Sequence, residues 1–247
     1  MRIVGLALVL AMAGVPAAGC AQQPRLLWQS PGAEVWGDVV TPGAPGPHPA
    51  VILLYGSTGW RADYLDLARA YADSGFVALI LDYYARTGGA AIGSAEKLRK
   101  WETWRRTVQN AVEYLRSMPV VDGRRIALVG YSRGAFLAVS VGASIPSIAA
   151  VVDFYGGGGG GTLPLEEEVK GLPPLLILHG EDDRIVPVSF AHQLRDAVVA
   201  AGGQVDMRLF PGQRHAFNAP WAATYSDSAA QQAFGVVIAF LRARFRD

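Results

Sequence analysis

The chain has 247 residues, 51% of them hydrophobic and 17% charged. That is enough apolar material for one sizeable core and too little charge for a disordered chain. With 22 Lys and Arg against 21 Asp and Glu, no basic excess points to a nucleic-acid partner.

In chain order, the first segment reads as a leader and not as fold. Arg2 precedes the apolar run IVGLALVLAMAGV. Its length lies within the roughly 7–15 residues of a signal-peptide core and short of the ~18 needed to cross a bilayer. PAAGC follows, with small residues ahead of Cys20. This resembles the lipobox of bacterial lipoproteins, with Ala17 where leucine is usual. The resemblance implies an exported chain whose only membrane contact is a lipid on Cys20; simple cleavage without lipid is the alternative. Cys20 is the only cysteine, so no intrachain disulfide exists. The expected organisation is a leader over 1–19, a linker over 20–32 and one α/β domain over 33–247.

Two edge strands are expected around 26–29, overlapping the linker, and 34–40. The loop TPGAPGPHP separates them from a first core strand, AVILLY, at 50–55. A helix over 61–74 would place Tyr64, Leu65, Ala68 and Tyr71 on one face. FVALIL (76–81) reads as a buried strand. Over 94–117, Leu98, Trp101, Trp104, Val108, Ala111 and Leu115 recur at helical spacing. Arg99, Lys100, Arg105 and Arg106 lie opposite this stripe, as a solvated helix face would. Strands are expected at 125–130, 148–155, 174–179 and 205–210, with helices at 133–144, 188–201 and 226–245. The strands are continuous apolar runs and not alternating ones. That pattern suits a mostly parallel, doubly wound sheet flanked by helices on both faces. The six glycines 156–161 follow a strand end, either as a floppy connection or as a mobile cover at the carboxyl edge of the sheet.

One stretch carries chemistry. In IALVGYSRGAFLAVSVG, Gly-Tyr-Ser-Arg-Gly joins a strand to a helix. This is the pattern of a nucleophile elbow: Gly130 and Gly134 give room for a sharp turn that lifts Ser132 above the sheet at a helix N-terminus. A serine hydroxyl needs a base, and the base an orienting acid. For this elbow they follow in the order Ser, Asp or Glu, His. Glu181, Asp182 and Asp183 follow one strand, and His215 lies in the loop after the next. Asp153, near another strand end, is a weaker candidate for the acid. His48 precedes the core strands and is excluded by order. His179 ends a strand and reads as structural, and His192 falls on a helix.

The stretches VILLYGSTG, LILDYYARTGG, GYSRGA, HGEDDRIVP and PGQRHAFN together resemble the α/β-hydrolase superfamily, and within it the dienelactone hydrolase family. The resemblance runs from about residue 30 to 245. It implies the α/β-hydrolase fold and hydrolysis of a small-molecule carboxylic ester or lactone, without metal or organic cofactor. Within it, G-x-x-D-x-x-V-P selects Asp183 and G-x-x-H-x-F selects His215. The oxyanion would be held by the backbone N–H groups of Ser57 and Arg133. Three departures stand out. The best-known members use cysteine where this chain has Ser132, and carry a glutamate where it has Gly56. The family's first carboxylate-binding arginine corresponds to Arg86, while the place of the second holds Ala219. Competing expectations are a serine peptidase of the same superfamily and a non-catalytic envelope binding lipoprotein.

Overall fold

The computed structural model describes residues 24–89, 97–160 and 163–246. The expected leader and Cys20 lie outside the described residues. A single sheet of eight strands runs through the described chain in the order β1-β2-β4-β3-β5-β6-β7-β8. The strands are β1 (Arg25–Ser30), β2 (Ala33–Val40), β3 (His48–Leu54), β4 (Val77–Leu81), β5 (Val121–Tyr131), β6 (Ile148–Phe154), β7 (Leu175–Gly180) and β8 (Val205–Phe210). From β4 through β3 and β5 to β8 every pairing is parallel. β2 runs antiparallel to both β1 and β4.

The inner parallel strands are apolar on both faces because both faces are covered; β8, at the edge, alternates. α1 (Asp63–Asp73) and α6 (Asp227–Arg244) share one face, where Tyr71 meets Phe234 edge-on at 5.1 Å. α2 (Lys97–Ser117), α3 (Arg133–Gly142) and α5 (Ser189–Ala200) cover the other. There α2 packs on α3, and Phe136 of α3 meets Phe190 of α5 at 6.1 Å. A short α4 (Leu165–Glu168) lies against α5. The core residues of β3, β4 and β5, from Ala50–Leu54, Val77–Leu81 and Ile126–Val129, are all fully buried. Each valine, leucine or isoleucine among them contributes about 1.5–3 kcal/mol on burial. On α2, Trp101, Trp104, Val108, Ala111 and Leu115 are buried as the spacing predicts.

Two expectations are corrected. The edge strand expected around 26–29 is β1, which pairs with β2, Leu26 opposite Trp36 and Gln29 opposite Glu34, so the sheet begins at residue 25 and not at 33; residues 20–23 of the expected linker lie outside the described residues. His48 is not loop but the first residue of β3, opposite Val121.

The order of the strands places the site. β4 lies on one side of β3 and β5 on the other, so the connections leave the carboxyl ends of β3 and β5 in opposite directions. That divergence opens a crevice, the usual ligand position in such sheets. The loop with Ser57 follows β3, and Ser132 follows β5.

Candidate active site

Ser132 sits between β5 and α3 with φ 54° and ψ −118°. A non-glycine residue with positive φ is uncommon and strained. The turn survives because its surroundings fix it. The Ser132 N–H donates to the Phe154 carbonyl at 2.9 Å, and its own carbonyl accepts the Ala135 N–H at 2.9 Å. A Cβ at Gly134 would overlap the Leu54 carbonyl, and one at Gly130 the backbone of Gly134 and Ala135. Both glycines are therefore required by close approach. Among the described residues only two other non-glycines have positive φ: Tyr155, at 42°, and Ala216, at 61°. The first follows β6 with its ring edge-on to the His215 ring at 4.8 Å, and the second follows His215 itself. The strained backbone gathers at one place.

A continuous hydrogen-bonded line runs through that place. His215 Nε2 lies 3.0 Å from Ser132 Oγ, and His215 Nδ1 lies 2.6 Å from Asp183 Oδ2. Asp183 Oδ1 accepts the N–H groups of Ile185 at 2.8 Å and Val186 at 2.9 Å. Burial alone would push the Asp183 carboxyl up. The contacts from His179 and His215, the Val186 N–H and the charge of His215 outweigh it and hold Asp183 well below the usual carboxylate range. The Thr224 hydroxyl donates to the His215 carbonyl at 2.5 Å and fixes the loop from outside. Of the three adjacent acids, only Asp183 is buried; Glu181 and Asp182 are exposed. Asp153 is fully buried but is hydrogen-bonded to Gly156, not to His215.

A cleft of about 380 Å³ opens over Ser132. Ser57, Arg133, Trp101, Phe136, Ile185 and the Gly159–Gly160 backbone line it. Arg133 begins α3, so its N–H has no carbonyl one turn earlier to bond and stands next to the serine. Ser57 and Arg133 thus share the cleft with Ser132, as the sequence suggests. A side chain at Gly56 would start 3.4 Å from the Ser132 Cβ. A glutamate there would reach Ser132, so glycine leaves the serine hydroxyl to its hydrogen bond with His215. Over its described part the glycine run is hydrogen-bonded at two places. The Gly156 N–H donates to Asp153 at 2.8 Å and the Gly159 N–H to the buried Glu168 at 2.5 Å.

Arg86 is the expectation that fails. It is exposed and lines a groove against the β1–β2 turn, beside Gln29 and Glu34; it does not line the Ser132 cleft. The turns after β4 carry it away from the crevice. The cation that does line the cleft is Arg133, whose guanidinium lies 6.0 Å from the Trp104 ring. Sequence reasoning used only its backbone. The available signal was its position directly after the serine. Arg86→Ala is accordingly expected to leave kcat/KM for a neutral ester and for its carboxylated analogue within about twofold of wild type, the spread of a surface substitution. Selective loss of the carboxylated ester in that comparison would return Arg86 to the substrate.

A mostly parallel sheet with a serine lifted on a strand–turn–helix at its switch point defines an α/β-hydrolase. Residues 36–245 match the dienelactone hydrolase family, and the chain belongs to that family. A relative from Yersinia pestis, named "Putative carboxymethylenebutenolidase", is 25% identical over 207 residues, covering 75% of this chain and 74% of its own. Among solved structures, the dienelactone hydrolase-like promiscuous phosphotriesterase P91 from metagenomic libraries superposes with a TM-score of 0.77. It is 21% identical, and the match covers 92% of this chain and all of that one. A thermophilic esterase from Thermogutta terrifontis superposes with a TM-score of 0.65 at 19% identity, covering 90% of this chain and 94% of its own.

Proposed function

We propose that this chain hydrolyses a carboxylic ester or lactone through an acyl-serine intermediate, with Ser132 as nucleophile, His215 as general base and acid, and Asp183 as orienting carboxylate. The observation that carries the reading is the unbroken line Ser132 Oγ, His215 Nε2, His215 Nδ1, Asp183 Oδ2, with spacings of 3.0 and 2.6 Å. The name of the Yersinia pestis relative, a carboxymethylenebutenolidase, supports the same class of substrate.

The chemistry follows from the geometry. As Oγ bonds to the substrate carbonyl carbon, its proton passes to His215 Nε2. The carbonyl oxygen takes up the electron pair and meets the N–H groups of Ser57 and Arg133. Donors aimed at such an oxyanion contribute about 3 kcal/mol each. Asp183 holds the proton on Nδ1, which leaves Nε2 free to accept, and it balances the imidazolium that forms. His215 then gives its proton to the leaving oxygen as the carbon–oxygen bond breaks. In the second half a water molecule gives a proton to His215 and its oxygen attacks the acyl carbon. Collapse returns the proton to Oγ and releases the acid. A lactone follows the same steps, with the leaving oxygen still attached to the acyl group.

The test joins labelling to turnover. A fluorophosphonate probe is expected to add one phosphonyl group, located by peptide mass spectrometry to the tryptic peptide holding Ser132, and to stop turnover of an aryl ester and of an unsaturated lactone in parallel. Labelling at another residue, or turnover that survives full labelling, would overturn the assignment.

A further inference from the structure

The cleft over Ser132 holds one charge. Of the residues that line it only Arg133 is charged, while Trp101, Phe136, Ile185 and Val186 give it apolar walls. Arg133 is half-buried, with its guanidinium 6.0 Å from the Trp104 ring. Its Nε is buried without a hydrogen-bond partner, and no carboxylate among the described residues pairs with it. Glu168 accepts the Gly159 N–H at 2.5 Å and does not line the cleft.

The position is electrostatically unfavourable for a cation. Arg133 is the first residue of α3, and no acidic residue stands in the first turn of that helix. A helix N-terminus carries partial positive charge and favours anions over cations. The guanidinium and the helix end therefore add to one positive field. Trp101 and Phe136 beside it lower the local dielectric, which strengthens any charge pair formed there. The protein meets this field with the Trp104 ring and with no negative group. An anion entering the cleft would offset the charge and occupy the free guanidinium N–H groups.

We propose that the Arg133 guanidinium is a specificity-determining group that binds a carboxylate on the acyl half of the ester. The inference rests on the hydrolase reading above and narrows its substrate class. A single guanidinium balances a single negative charge, and its planar fork can donate two parallel hydrogen bonds to the two oxygens of a carboxylate. The choice of the acyl half follows from the layout. His215 must give its proton to the leaving oxygen, but it does not line this cleft. The alcohol half therefore departs on the His215 side, and the half that fills the cleft is the one bonded to Ser132 Oγ. Neither Arg86 nor Ala219, the places that the family resemblance marks for such a role, lines this cleft. The cation comes instead from the residue next to the nucleophile.

The experiment compares kcat/KM for the monoaryl esters of glutaric and adipic acids with the esters in which a carboxamide replaces the free carboxylate. The members of each pair match in shape and differ in charge. One charge-assisted hydrogen bond corresponds to about 10- to 150-fold, so the wild type is expected to favour the carboxylate by that factor at one length or both, a result that needs no variant. In Arg133→Gln the ratio is expected to fall to about one, whatever happens to the carboxamide ester, and Arg133→Lys is expected to keep part of it. A side chain that only shapes the cleft or supports its own backbone N–H would slow both esters together and leave the ratio unchanged. Binding gives a readout without turnover. Adipate, titrated calorimetrically, is expected to bind the wild type and to bind Arg133→Gln about tenfold more weakly or worse. Where the esters are turned over, a wild-type ratio near one at both lengths, or a ratio that survives in Arg133→Gln, would overturn the proposal and leave the hydrolase reading standing. Should no ester be turned over, adipate decides. Binding that depends on Arg133 would retain the site while the hydrolase reading falls, and binding indifferent to Arg133→Gln, or none, would overturn the site as well.

Discussion

Ser132→Ala is expected to lower kcat for aryl ester hydrolysis by about 10⁶ while leaving the fold intact, since triad members act as a unit and loss of the nucleophile removes the covalent route entirely. The residual rate would come from the Ser57 and Arg133 N–H groups acting on a water-attacked ester. Stability is expected to change little. The strained backbone at Ser132 is set by the Phe154 carbonyl and by the close approach at Gly134, neither of which involves the hydroxyl. Alanine keeps the Cβ, so it neither relieves nor adds to the positive φ. The measurement is single-turnover kinetics beside a thermal melt. If the purified variant kept even a tenth of the activity with an unchanged melt, another residue would be the nucleophile.

What the sequence made legible follows from how local each signal is. The cores of β3 to β7 were readable because their residues are apolar on both faces, which only a covered parallel strand requires, whereas β8 at the sheet edge alternates apolar with charged residues. The elbow was readable because Gly130 and Gly134 answer to steric demands within a few residues of Ser132 and at the end of the adjacent β3. β1 was half hidden: RLLWQS is an edge strand with Arg25, Leu26 and Gln29 exposed, so its pairing with β2 leaves little apolar trace. Arg86 was misplaced because a motif spacing fixes the chain position and not the direction a turn sends the side chain. It points to the β1–β2 turn, an element far away in sequence.

Asp183→Asn is expected to lower kcat by about 10⁴, the scale of losing the orienting acid in a triad, while Asp182→Asn remains close to wild type. The structure fixes how the damage arises. Oδ1 of residue 183 accepts two N–H donors, from Ile185 and Val186. An asparagine in that place must turn its carbonyl oxygen toward them, because an amide NH₂ facing two N–H groups would leave all of them unpaired. Its NH₂ then occupies the Oδ2 position and faces His215 Nδ1. Nδ1 is forced to accept, the ring proton moves to Nε2, and Nε2 can no longer take the proton from Ser132. Acidic conditions do not mimic this in the wild type. Asp183 is held well below the usual carboxylate range, so it keeps its charge at pH values where an ordinary carboxylate takes up a proton. Asp182 is exposed, and the contact of its residue with the His215 loop runs through its backbone N–H to the Gln213 carbonyl at 3.0 Å, which asparagine preserves. The comparison is kcat for one aryl ester in wild type and the two variants, with fluorophosphonate labelling rates as a second measure of Ser132 reactivity. Equal losses at 182 and 183, or a larger loss at 182, would move the orienting acid one place along the loop.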